Sequence, residues 1–336
     1  MNFDKVKNSN SNNIFTKYQH MFLLSLLILL IIFPQLTNNQ YYIYIAAKVL
    51  LYMILASSLN IIAGYTYQYL IGFVAFFAIG SYSAAIISKA YNINFILVFL
   101  LSGLICSIFG VLLGIPASRL GGIFFAFATL GFSEIVRLII INWDSLTRGT
   151  FGIPGIPSPE LFNLKLITNS HFYYMGLLLL AVMLFISNRI IKSRIGRAWL
   201  ALKENQEAAR AMGVDVVKYK IMNLAYGSFW AGIGGAFYAY FTRYVSPDTF
   251  VLDESFRIFA MVLVGGMGTL AGPIVGSGVL VLLPEIFREF ARYQLVIYGI
   301  AILLVIHYRP QGLLGARELA KVKVEPEEVK QQQEED

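Results

Sequence analysis

Long apolar runs separated by short polar stretches dominate this chain. Residues 43–63, 70–88, 95–117, 123–141, 172–191 and 220–241 each hold an almost unbroken apolar stretch. The runs are apolar all round rather than along one stripe, so they predict helices with no water-facing side. A helix needs about 20 residues to cross about 30 Å of hydrocarbon, and these runs match that length. The run 21–33 is shorter, and Pro34-Gln35-Leu36 follows it with no small-residue cleavage site. It reads as an uncleaved first span rather than a signal peptide. A last run covers 294–308.

The run 255–283 breaks the pattern. As one helix it would be roughly 43 Å long, too long for a single upright span. Its centre reads Gly265-Gly266-Met267-Gly268-Thr269-Leu270-Ala271-Gly272-Pro273. That cluster of helix breakers predicts two half-helices around an irregular turn. Such backbone at membrane depth needs protein or water around it. Glycine-rich breaks occur in both halves (Gly64, Gly72 and Gly80; Gly265 to Gly278), as in a transporter built from two related halves.

Composition strengthens the membrane reading. The chain is 57% hydrophobic and only 13% charged, against about a quarter charged in soluble domains. The predicted fold class is all-α: a polytopic membrane protein with about 8–10 transmembrane segments, one of them broken or re-entrant at 265–273. Residues 1–20 read as a flexible cytoplasmic tail, 21–315 as the membrane domain with a cytoplasmic loop at 192–219, and 316–336 as a disordered cytoplasmic tail.

Net charge is +7. In a soluble protein that would suggest nucleic acid; here the basic residues sit in loops, where orientation accounts for them. Loop 192–219 carries Lys192, Arg194, Arg197, Lys203, Arg210 and Lys218 and is therefore predicted to be cytoplasmic. Counting back places the N-terminus inside as well. Counting forward keeps 316–336 inside only if the broken run enters and leaves on one face. Loop 143–171, with Gly149, Gly152, Pro154, Gly155 and Pro157, then faces outward and is a candidate seat for a solute-binding protein.

No catalytic chemistry emerges. The one cysteine, Cys106, lies in an apolar run, and the three histidines are scattered. There is no Gly-x4-Gly-Lys-Ser/Thr phosphate loop. No cofactor, metal or nucleic acid is expected. Glu134 and Arg137 lie within a span, where ionisable groups are costly and are functional candidates by default. At i,i+3 they can neutralise each other in a polar lining or a structural pair. Lys48 is expected to snorkel to the outer surface. The broken run offers half-helix termini, which can meet the charged ends of a zwitterion. Close packing through small residues is the competing explanation of its glycines. Residues 198–212 are rich in helix formers, with Gly213 as a natural terminator and Asp215 as a cap for the next helix.

Several separated motifs resemble one family. Ser58-Leu59-Asn60 to Gly64-Tyr65, Gly72-Phe-Val-Ala75 to Gly80-Ser-Tyr82, Phe124-Phe125-Ala126 to Arg137, and Asn142-Trp143 to Pro157 look like branched-chain amino acid ABC permeases of the LivM type. So do Gly265-Gly266-x-Gly268-Thr269-x-x-Gly272-Pro273 and Arg309-Pro310-x-Gly312-Leu313-Leu314-Gly315. The resemblance runs in order over residues 45–315. Glu207-Ala208-Ala209-x-x-x-Gly213 also resembles the first part of the Glu-Ala-Ala loop that docks ABC permeases on their ATPases. Two departures stand out. Tyr67-Gln68-Tyr69-Leu70-Ile71-Gly72-Phe73 replaces the family's Gly-Gln-x-Ser-Leu-Gly-His, and Asn223-Leu224-Ala225-Tyr226 replaces the Ile-x-Leu-Pro that ends the docking loop elsewhere.

The resemblance implies a permease subunit in the plasma or inner membrane. Its partners would be a second related permease, two ABC ATPases and an extracytoplasmic binding protein, all around the lipid bilayer. Gly196, Arg197, Glu204, Glu207, Ala208, Ala209 and Gly213 become the candidates for ATPase coupling. Asn60, Gln68, Glu134, Arg137, Gly265, Gly266, Gly268 and Thr269 become the candidates for the translocation path. The alternatives are the same machine carrying urea, short amides or another small polar solute, and an ion-coupled secondary transporter. The latter usually shows several intramembrane acids, whereas only Glu134 reads as one here. An integral membrane enzyme lacks a catalytic cluster.

Overall fold

A computed structural model describes residues 32–37, 39–91, 93–161 and 164–286, with positions 299, 303, 307, 308 and 312–314. The expected tails 1–20 and 316–336 and most of the runs 21–33 and 294–308 lie outside the described residues.

The architecture is all-α, as the apolar runs predict. In chain order the helices are α1 (Gln40–Thr66), α2 (Val74–Ala90), α3 (Phe95–Ala117), α4 (Gly122–Asn142), the short α5 (Asp144–Thr147), α6 (Asn169–Ile191), α7 (Arg194–Glu204), α8 (Gln206–Ala211), α9 (Val216–Thr242), α10 (Leu252–Gly265) and α11 (Gly272–Ile286). Helices α1, α3, α4 and α6 are long and apolar enough to cross a membrane, and α2 and α11 are shorter apolar helices.

Helix α9 lies at the centre. It packs on α1, α2 and α3 and is buried on every side through most of its length. Small residues make this possible: Gly80 of α2 meets Gly232 of α9 backbone to backbone, and Gly110 of α3 faces Ser228. With no hydrophobic drive between spans in lipid, such close approach is what holds them together.

One end of the bundle carries the α7–α8 arm. The opposite end carries the loops: β1 (Ile153–Pro154) pairs with β4 (Tyr244–Val245), and β2 (Glu160–Leu161) with β3 (Leu164–Lys165). The Lys89 ammonium donates to the Pro154 carbonyl at 2.8 Å and ties α2 to this end.

The long run 255–283 splits as its glycines predict. Helix α10 stops at Gly265, and α11 starts at Gly272. Gly276 abuts both the Met261 carbonyl and Gly265, so α11 runs back along α10 as an antiparallel hairpin of half-helices. At 14 and 15 residues, each limb is about 21–23 Å long, short of a full crossing.

Two local expectations change. The run 70–88 yields a helix only from Val74, because 67–73 are not helical. The helix expected over 198–212 is broken at Asn205, which has extended backbone and caps α8 by accepting from the N–H groups of Glu207 and Ala208. An asparagine at that position competes with helix continuation through its own side chain.

Candidate functional site

The turn between α10 and α11 is held by α1. The Asn60 amide donates to the Thr269 carbonyl at 2.8 Å, and its oxygen accepts from Gly268 N–H at 2.8 Å. One buried amide therefore satisfies two backbone groups that the broken helix leaves open. Gly64, one turn further along α1, touches Gly268 so closely that neither position has room for a Cβ. Gly266 has φ 113°, a backbone state that side chains oppose. The Thr269 hydroxyl donates back to Gly266 O and accepts from Gly272 N–H, starting α11. The other glycine motif arrives here too: Leu313 and Leu314 N–H donate to the carbonyls of Val264 and Gly265, at 2.9 and 2.8 Å. Asn60, Gly265, Gly266, Gly268 and Thr269 thus form one packed knot at the arm end.

The arm is bolted to the same place. The Ser193 hydroxyl caps α7 at Ile195 N–H, and Gly196 sits against the Ile191 carbonyl, where a Cβ would clash. Trp199 is buried, and its indole N–H donates to the Tyr219 carbonyl at 3.1 Å. From the last turn of α7, the Lys203 ammonium lies 5.1 Å from the centre of the Tyr67 ring and beside Gly268. Sequence reasoning missed Lys203, whose role depends on a contact between distant segments. Tyr67 is the C-cap of α1 with φ 51°, the place where the resembling family has glycine.

Beyond Asn205 the arm turns outward. Arg197, Glu204 and Ala208 are exposed. Glu207 is 82% exposed and Met212 84%. Ala209 is buried against Leu202 and Val216 and anchors α8. Gly213, at φ 82°, ends it, and the Asp215 carboxylate caps α9 at Lys218 N–H.

Gln68 lies in a buried network rather than on an open surface. Its amide donates to the Thr66 hydroxyl at 2.8 Å, that hydroxyl bonds Asn223 Oδ1, and Asn223 donates to the Ile61 carbonyl. Leu70 and Phe73, which stand where relatives have Ser and His, are fully buried. That departure changes the apolar core.

The charged pairs on α4 and α10 invite comparison. Arg137 grips both Glu134 oxygens on α4, with Nη2 to Oε1 at 2.7 Å and Nε to Oε2 at 3.1 Å. The Glu134 side chain is 42% exposed. Helix α4 packs mainly on α2 and α3, while the glycine knot packs on α1, so these two groups of candidates have different neighbours. The second pair, Glu254–Arg257 on α10, has the same spacing, at 3.3 Å, with Glu254 only 10% exposed. Lys48, expected to snorkel outward, is half-buried. The signal for Glu254 was present in the sequence as another Glu-x-x-Arg, one residue outside the apolar run.

Among the described residues no group of three or more metal-ligating side chains converges. No solved structure matches the chain. Relatives do. The chain is 34% identical to the high-affinity branched-chain amino acid transport system permease protein LivM of Salmonella typhimurium over 89% of this chain and 76% of the relative. It shows the same figures with LivM of Escherichia coli K12. It is 23% identical to the LivH permease of Salmonella typhimurium over 56% of this chain and 63% of that protein. The profile of the family described as branched-chain amino acid transport system / permease component matches residues 41–306. With that span matched and the helices in place, this chain belongs to the branched-chain amino acid transport permease family.

Proposed function

We propose that this chain is the membrane-spanning subunit of an ATP-driven importer of leucine, isoleucine and valine. It works beside a second related permease, two cytoplasmic ATPases and an extracytoplasmic binding protein. The observation that carries this reading is the α7–α8 arm. Its tip presents Glu207, Ala208 and Met212 to a partner, while its root reaches the broken α10–α11 turn through Lys203. A push on the tip is thereby delivered to the irregular backbone of the broken α10–α11 turn.

The basic loop 192–219 puts the arm in the cytoplasm. The β1–β4 end then faces outward, where Phe151, 85% exposed, offers the binding protein an apolar foothold. The chain itself carries out no hydrolysis; ATP turnover belongs to the partners.

The test is reconstitution. The complex of this chain with the second permease, the ATPases and the binding protein encoded beside it is placed in liposomes, and ATP-dependent uptake of radiolabelled leucine is measured. Unlabelled valine should compete, while urea and acetamide should not. Glu207→Lys should lower uptake and binding-protein-stimulated ATP hydrolysis while the complex is still recovered. Competition by urea but not valine would replace the substrate. Uptake driven by an ion gradient without ATP would overturn the mechanism.

A further inference from the structure

The loop end of the bundle holds two adjoining cavities of opposite character. Helices α3 and α6 both start there, at Phe95 and Asn169, and both pack on α9. Between their first turns lies an open groove of about 430 Å³, whose lining includes Phe95, Ile96, Phe99, Met175, Leu178 and Leu179. Phe99 is held between Phe95 and Tyr240 of α9, with ring centres 6.2 and 5.8 Å away. Phe95 also lines the second cavity, of about 310 Å³, beside the β2–β3 hairpin. That one is polar, with Ser88, Asn94, Ser158 and Glu160 in its wall. Among the described residues that line it, Glu160 carries the charge, and Lys165 of the paired strand lies 3.3 Å from it.

The helices set the depth of the groove. Both are apolar spans whose residues are mostly outside the core. The exposed side of α3 carries Leu97, Leu100 and Leu104, so the groove opens toward hydrocarbon rather than water. Leu178 lies nine residues along α6 from Asn169, about 14 Å at about 1.5 Å per residue. One leaflet is half of about 30 Å of hydrocarbon. The groove therefore runs from the membrane surface through roughly one leaflet, with the polar cavity at its upper end.

We propose that the two cavities form one binding site for a zwitterionic phospholipid with an ethanolamine headgroup. An acyl chain lies in the α3–α6 groove, and the headgroup enters the polar cavity, where Glu160 accepts from the ammonium and Lys165 faces the phosphate. The shared Phe95 joins a polar cavity to an apolar groove in the order of such a lipid. The charges match as well. An acid beside a base complements an ammonium beside a phosphate, whereas an anionic headgroup would leave one charge uncompensated. A lipid held there ties the β2–β3 hairpin to α3 and α6. The site rests on the membrane placement of the bundle; its assignment to the outer leaflet rests on the orientation argued from loop 192–219.

The test places the assembled transporter in nanodiscs of phosphatidylethanolamine and phosphatidylglycerol in equal parts. A trace of one or the other lipid carries a photoactivatable acyl chain, and crosslinks are mapped by mass spectrometry. Labelled phosphatidylethanolamine should concentrate on residues 95–99 and 174–179. Leu104 and Phe185, exposed on the same helices outside the groove, should take much less. Phosphatidylglycerol should label the groove about threefold more weakly, the scale of an exposed charge pair, and Glu160→Lys should abolish or reverse that preference. Met175→Trp fills the groove and should cut its label at least about threefold, a difference of under about 1 kcal/mol. Val182→Trp, on the exposed face of α6 outside the groove, should leave it unchanged. If Met175→Trp fails to assemble, the exposed Leu178 takes the same change. Label spread evenly along α3 and α6 overturns the site, because it reports bulk lipid only. Equal labelling by the two lipids overturns it too, as does label unchanged in an assembled Met175→Trp or Leu178→Trp complex. Absence of label from the groove would show that a helix of the partner permease covers it, and would overturn the proposal as well.

Discussion

Helices α4 and α10 carry the same short pattern, a glutamate followed three residues later by an arginine, and use it in opposite ways. On α4, Arg137 bonds both oxygens of Glu134, and the acid is 42% exposed. On α10, Arg257 reaches one oxygen of Glu254, the acid is 10% exposed, and the other oxygen is left without a hydrogen bond. The first pair is self-contained. Its charges cancel locally, which lets it sit on a helix surface against lipid or a neighbouring subunit. The second is incomplete and is held in place by the helix around it. The same spacing therefore does not give the same environment: saturation of the hydrogen bonds and burial separate the two pairs.

The sharpest way to break this comparison is to remove each arginine. Arg257→Leu strands a buried carboxylate and should destabilise the subunit by about 3–5 kcal/mol, seen as a fall in unfolding temperature in detergent and as poor recovery. Asn60 gives the neutral counterpart, a buried polar group whose bonds are made. Asn60→Ala frees Gly268 N–H and Thr269 C=O and should cost about 2–3 kcal/mol. It should also weaken protection of the 264–272 amides in hydrogen exchange. Lys203→Met replaces a cation over an aromatic ring with an apolar chain of similar length. Its stability cost should be about 1 kcal/mol or less. Uptake should nonetheless fall several-fold while ATP hydrolysis persists, because the arm loses its grip on the turn. Smallest of all, Glu134→Gln together with Arg137→Gln should shift stability by less than about 1 kcal/mol and leave uptake near wild type. A large loss of uptake from that double change with normal assembly would make α4 the path and undo the contrast.

The broken span was legible in the sequence because its cause is local: breakers clustered inside a run too long to be one helix. The glycine after α8 and the aspartate before α9 were legible for the same reason, as caps act over a few residues. Asn205 carried a cap signal as well, but it was hidden among strong helix formers. The non-helical segment 67–73 was not legible, because Tyr69, Leu70 and Phe73 are as apolar as the helices on either side. Lys203 looked like one more basic residue of the loop; its contact with Tyr67 and Gly268 joins three distant parts of the chain. Gln68 became a candidate for the path through the family resemblance, yet Thr66 and Asn223 surround it. Glu254 fell outside the apolar run by one residue, since hydropathy marks where polarity returns and says nothing of how deeply the first polar residue is buried.

The most direct measurement is ATP-dependent leucine uptake by liposomes holding the assembled transporter with either Lys203→Met or Glu134→Gln, each normalised to the amount of complex incorporated. The account predicts that Lys203→Met lowers uptake several-fold while ATP hydrolysis persists, whereas Glu134→Gln leaves uptake near wild type. Unchanged uptake by the Lys203 variant, with loss in the Glu134 variant, would contradict it.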